Sequence, residues 1–174
     1  GTEATMSAIR LARGYTGKST IVKFNGHFHG HSDSLLIQAG SGAARLPQAS
    51  SQGIPEELVK LTVSLPFNDL EGCRHFLRSR DDIAAVLIEP IAGNMGVVPA
   101  KEEFLEMLRE ETEKKEIVLI FDEVITGFRL APGGAQQYFG VTPDITVFGK
   151  ILGGGFPIGA FCGNKKIMEN VDSL

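Results

Sequence analysis

The sequence predicts an α/β domain, a mainly parallel sheet flanked by helices. Three observations carry that expectation. Apolar runs of strand length, IAAVLI at 83–88 and IVLIF at 117–121, alternate with segments of helical periodicity. Runs this continuous suit strands covered on both faces. Glycine, 21 of 174 residues, falls in local clusters and not in a repeat, as expected where backbone turns sharply or approaches a ligand.

The elements follow in chain order. Thr2 is placed to cap a helix over 3–15, where Met6, Ile9 and Ala12 recur at helical spacing, and Gly17 ends it. STIVKF at 19–24 reads as a strand, and 60–64 as another. Asn68 or Asp69 caps a helix running to Ser79. After the 83–88 strand, 101–115 forms a helix with Phe104, Leu105 and Leu108 on one face and lysines in its last turn. Strands at 117–121, 144–148 and 158–162 complete the series, with Phe121 and Phe148 assigned to the core. The stretch 31–55 breaks the rhythm: it is small and polar, and loops of that length are lids or disordered insertions.

Composition excludes several classes. The chain is 43% hydrophobic and 22% charged, values of a globular protein. A net charge of −4 without a basic tract speaks against nucleic acid, and no apolar stretch is long enough for a membrane span. Cys73 and Cys162 are too few for a secreted disulfide scaffold, which fits a reducing compartment, cytoplasm or plastid stroma. The termini read as those of a piece of something longer.

Two motifs are set aside. ARGYTGKS at 12–19 matches a relaxed phosphate loop, but a helix precedes it and a strand follows, the reverse of the working order. His27, His29 and His31 alternate, with Asp33 beyond. That spacing suits zinc, but the set lacks a further histidine, and hydrogen-bonding histidines at a strand-to-loop corner are the favoured reading.

Three ionisable residues fall at the ends of buried strands: Glu89, Asp122 and Lys150. At the carboxyl edge of a parallel sheet they would share one site. They suit pyridoxal phosphate, which needs a lysine amine for its aldehyde, an acid for its pyridine nitrogen and donors for its phosphate. Lys150 supplies the amine, with glycines 149 and 153–155 leaving room around it. Asp122 holds the pyridine nitrogen protonated. Gly1 and Thr2, at a helix start, face the phosphate. Phe28 and Val124 flank the ring.

The segments GTEATMSAIRLAR, FHGHSDSLL, IEPIAGNMG, IFDEVITGFR and FGKILGGGFPIGA resemble the class III, fold-type I aminotransferases over nearly the whole chain. The resemblance implies that 1–174 is the central part of a large, cofactor-binding domain, with an N-terminal segment and a C-terminal small domain outside it. Asn94 and Ile125 replace the glutamate and glutamine of many relatives and are similar to the glutamate-1-semialdehyde aminomutase branch. That branch implies a homodimer that uses pyridoxal and pyridoxamine 5'-phosphate to turn glutamate 1-semialdehyde into 5-aminolevulinate through a bound diamine. It places Asn94 near the cofactor's phenolic oxygen. It also implies a gating loop, from about Ser32 to Pro55, with Ser41 in its AGSG element and His31 at its start. His29 and Glu89 stand behind the site as hydrogen-bonding groups. Arg129 is open to either a carboxylate or an ion pair. The family's usual tyrosine is Phe28 here, which keeps the stacking and loses the hydroxyl. An ordinary class III transaminase and a non-catalytic domain of the same fold are the alternatives.

Overall fold

The runs IAAVLI and VLIFD are buried at every position and lie side by side in the middle of a six-stranded sheet. The computed structural model describes residues 1–38 and 48–173. The strands are β1 (Thr20–Phe24), β2 (Thr62–Leu65), β3 (Ile83–Ile88), β4 (Val118–Asp122), β5 (Ile145–Phe148) and β6 (Ala160–Gly163). Their spatial order is β2-β1-β3-β4-β5-β6. All pairs from β2 to β5 are parallel, and β6 runs antiparallel to β5 at the edge.

Side-chain alternation sends each strand's residues to two cores. On one face, helix α1 (Thr2–Thr16) packs Ala8, Leu11 and Ala12 against Ile21, Leu87, Ile120 and Val147. The alanines let the helix lie close to the sheet. On the other face, α2 (Leu70–Ser79) and α3 (Glu102–Lys114) set Leu77, Phe104, Leu105 and Leu108 against Val22, Phe24, Ile88 and Phe121. Each fully buried large side chain contributes roughly 1.5–3 kcal/mol of transfer free energy. Arg78 of α2 donates from Nε, 2.9 Å, and from its terminal nitrogen to the buried carboxylate of Glu111 on α3, fixing the two helices together.

Several expectations change in detail. Gly1, not Thr2, precedes the first helical residue, and the Thr2 hydroxyl meets His31 Nδ1 at 3.3 Å instead of capping. The second strand starts at Thr62, because 56–59 form a single helical turn ending at Lys60. Phe148 is only half-buried and packs on the exposed Phe128 ring, centroids 5.3 Å apart, so it is not core. The 31–55 stretch is not structureless: Asp33–Leu35 form a 3-10 turn, and Ile37–Gln38 pair with Gln48–Ala49. Ser41 lies outside the described residues. The helix α4 (Gly134–Phe139) and the small hairpin joining Ile91–Ala92 to Val98–Pro99 had no sequence expectation.

The two discounted motifs have structural roles. Gly17 closes α1 with φ 67°, and Lys18 Nζ donates to the carbonyls of Lys115 and Glu116 at 2.9 and 3.2 Å. The three histidines bond to three different elements, as described below. Cys73 and Cys162 are free thiols. No helix among the described residues is long and apolar enough to cross a membrane.

Candidate active site at the carboxyl edge of the sheet

The strand order places β2 on one side of β1 and β3 on the other. The chain's connections therefore diverge at β1 and β3, and the crevice outside their carboxyl ends is where open α/β sheets bind ligands. His27 to Gly30 follow β1, Glu89 follows β3, Asp122 ends β4 and Lys150 follows β5. Helix α1 starts at the same edge. These elements enclose a cavity of about 200 Å³ lined by Gly1, Thr2, Phe28, Asn94, Asp122 and Lys150, with Val124, Ile125, His29 and Glu89 completing its wall. A larger hollow of about 590 Å³ sits at the opposite edge, beside Lys18, Arg109 and Asp144. None of the strand-end residues reaches it.

Asp122 is almost wholly buried and accepts two hydrogen bonds. The Val124 N–H donates to Oδ1 at 3.0 Å, and His29 Nδ1 lies 2.7 Å from Oδ2. A carboxylate only accepts, so His29 Nδ1 carries the proton. The His29 carbonyl in turn accepts from the Thr5 hydroxyl of α1 at 2.8 Å. His29 Nε2 is buried with no partner among the described residues. The acid is thus oriented from behind.

The segment after β1 is held residue by residue. His27 Nδ1 accepts from the Glu89 N–H at 3.1 Å. Burial, with His29 and Lys23 nearby, pushes the His27 pKa down to about 3, so the ring is neutral and its acceptor persists. Phe28 N–H donates to Glu89 Oε1 at 2.7 Å. Burial raises the Glu89 pKa, an effect opposed by that N–H bond. Gly30 has φ +86°, and a Cβ there would overlap the Thr2 side chain and lie 2.8 Å from Thr2 Cα. Only glycine lets the segment run this close to the start of α1.

Lys150 is exposed to the cavity mouth, opens a 3-10 turn and adopts φ 40°. A left-handed non-glycine residue costs of order 1–3 kcal/mol, and Asn68, Val97, Glu116 and Phe128 also have positive φ. Asn94 rides on the 93–95 turn, where a Cβ at Gly93 would lie 2.6 Å from Ile125 Cδ1. His31 does not line the cavity, but reaches it through Thr2. Arg129 is exposed and makes no ion pair among the described residues. Sequence reading missed Thr5, whose hydroxyl bonds on α1 resemble those of any helical threonine, and Glu123. Glu123 is buried and accepts from Thr126 Oγ1 at 3.0 Å and from the Ala135 and Gln136 N–H groups, so it anchors α4 and not a ligand. Its contacts are set by tertiary approach, which adjacency to Asp122 does not reveal.

Comparison with known proteins addresses what this edge belongs to. The family model described as Aminotransferase class-III matches residues 1–174. The chain belongs to the class-III aminotransferase family. A glutamate-1-semialdehyde 2,1-aminomutase from Desulfotalea psychrophila is 60% identical over 172 residues, covering 98% of this chain and 40% of that protein. One from Aquifex aeolicus is 60% identical, with 98% and 41% covered. Among solved structures, an omega-transaminase from Sphaerobacter thermophilus superposes with TM-score 0.90 at 44% identity, covering 97% of this chain and 40% of that one. A glutamate-1-semialdehyde-aminomutase from Pseudomonas aeruginosa PAO1 in complex with PMP gives 0.82 at 31%, with 95% and 36% covered. This class-III chain therefore spans about 40% of the length of the curated relatives it matches.

Proposed function

We propose that the protein to which this chain belongs binds pyridoxal 5'-phosphate at the carboxyl edge of the sheet and converts glutamate 1-semialdehyde to 5-aminolevulinate. The observation that carries the reading is the convergence of Lys150, Asp122, Phe28 and Asn94 on one cavity beside the start of α1. The donor set fits the cofactor. A buried acid with one more acceptor position faces a cavity that also holds a primary amine, and α1 offers first-turn N–H groups without helical partners to a phosphate. The identity of about 60% to proteins named as the aminomutase supports the choice of substrate.

When bound, the cofactor supplies an electron sink and carries the amino group between its pyridoxal and pyridoxamine forms. The chain's residues do the rest. Asp122 would keep a proton on the ring nitrogen, and His29, by donating to Oδ2, holds that carboxylate in place. Thr2 and the α1 N-terminus would hold the phosphate. Phe28 and Val124 would flank the ring, and Asn94 would donate to its phenolic oxygen. Lys150 Nζ, as a neutral amine, would take a proton from one carbon and, as the ammonium so formed, return it to another. His31, at 3.3 Å from the Thr2 hydroxyl, stands beside the substrate's entry. A second copy of the chain completes the site, in keeping with the exposed Val97, Phe156 and Ile158 on the strand-end loops. The reading places the reaction in the cytoplasm or the plastid stroma.

The test is incubation of the full-length protein with glutamate 1-semialdehyde alone. 5-Aminolevulinate forms without an added amino donor. Formation only after an amine or keto acid is added would assign the protein to the transaminases, a reading favoured by the 0.90 superposition on the omega-transaminase.

A further inference from the structure

The Phe28 ring is not held by an aromatic neighbour among the described residues. It is 55% exposed. Lacking a hydroxyl, it has no hydrogen bond of its own either. Its place at the cavity depends on the backbone beneath it. Glu89 holds that backbone at Phe28 itself and also meets the His27 ring, while the Phe24 carbonyl accepts the His27 N–H and the Thr5 hydroxyl donates to the His29 carbonyl on either side. The side-chain Oε1 accepts the Phe28 N–H at 2.7 Å, and the Glu89 N–H donates to His27 Nδ1 at 3.1 Å. Glu89 is 3% exposed and forms no ion pair among the described residues. A carboxylate buried without a cation is costly unless its lone pairs are used. Here one is used on Phe28, and the Gly93 N–H also favours the charged carboxylate.

We infer that Glu89 is a positioning residue: through the Phe28 N–H it sets where the Phe28 ring stands over a ligand in the Asp122–Lys150 cavity. The role needs an acceptor oxygen and not a charge. The neutral state of His27 supports it, because the Glu89 N–H keeps its acceptor across the working pH range. The inference deepens the proposed cofactor reading and rests on it only for the identity of the ligand.

Two variants of the full-length protein separate the possibilities. Glu89→Gln keeps an acceptor at Oε1 and removes the charge. Glu89→Leu fills similar volume and removes the acceptor. Amide hydrogen exchange at Phe28, measured without cofactor, reads the clamp itself. Binding of pyridoxal 5'-phosphate, followed by its visible absorbance and circular dichroism, reads the ring. Exchange at Phe28 should accelerate about tenfold or more in Glu89→Leu and stay within about twofold of wild type in Glu89→Gln. Cofactor affinity and dichroism should follow the same order, with a loss of about fivefold to tenfold in Leu only. Equal losses in both variants would mean that the charge matters, and would overturn the inference. Unchanged exchange in Glu89→Leu, with far-UV dichroism showing a folded protein, would overturn it as well. Accelerated exchange in Leu with no cofactor binding to any form would leave the clamp standing and sink the cofactor reading alone.

Discussion

Replacing Asp122 by asparagine tests the electrostatic core of the site with almost no change of shape. The carboxylate accepts from Val124 N–H at Oδ1 and from His29 at Oδ2. An asparagine keeps one acceptor oxygen and turns an NH₂ toward whichever partner is left. If the oxygen stays on Val124, two donors, the new amide and His29 Nδ1–H, face each other and the imidazole must change tautomer. One charge-assisted hydrogen bond is lost, and so is the negative charge that holds a proton on the ring nitrogen. Each such bond contributes about 1.5–3 kcal/mol, and charge placed in a buried site contributes on the same scale. A combined loss of about 3 kcal/mol lowers turnover roughly a hundredfold or more. The assay is 5-aminolevulinate formation by the full-length Asp122→Asn protein at saturating cofactor, with far-UV dichroism as a control for folding. Turnover within about threefold of wild type would refute the reasoning, because a buried acid that is dispensable is not holding the ring nitrogen.

Two further outcomes concern stability. Gly30→Ala places a Cβ against the Thr2 backbone at a φ of +86°, and it should cost about 2 kcal/mol, read as a lower Tm; an unchanged Tm would mean that α1 moves aside freely. His27, with its pKa near 3 in the fold against 6.5 for the free side chain, lends stability that is fully present above about pH 6.5 and lost as the pH falls toward 3, because the unfolded chain takes up a proton that the folded one excludes. Tm measured from pH 7 to pH 4 should fall for that reason, and His27→Gln should flatten the slope; equal slopes would assign the acid limb to other groups.

Much of this architecture is legible because its signals are local. IAAVLI forms a strand over 83–88 as expected, since a run buried on both faces needs no partner to be recognised. Asp69 caps α2 through the Gly72 N–H, as an aspartate before a helical period does. The strand-end position of Glu89, Asp122 and Lys150 also follows from the strands alone. What the sequence hides is contact across the chain. Thr2 has the chemistry of a cap and is instead drawn to His31. Phe148 has the composition of core and is left half-open beside Phe128 at the edge of the site. The segment after Ser32 looks like loop, yet Lys23 Nζ from β1 and Thr62 Oγ1 from β2 donate to the Leu35 and Ser34 carbonyls, at 2.9 and 2.7 Å, and tie it down. In each case the deciding partner lies more than twenty residues away or on another element, or is absent where a core neighbour was expected.

The most direct measurement is reduction of the full-length protein with borohydride in the presence of pyridoxal 5'-phosphate, followed by peptide mass spectrometry. The pyridoxyl group should be fixed on the peptide containing Lys150, and on no other lysine, and Lys150→Ala should retain none. A pyridoxyl group on a different lysine, or none at all with cofactor in excess, would contradict the site built around Lys150 and Asp122.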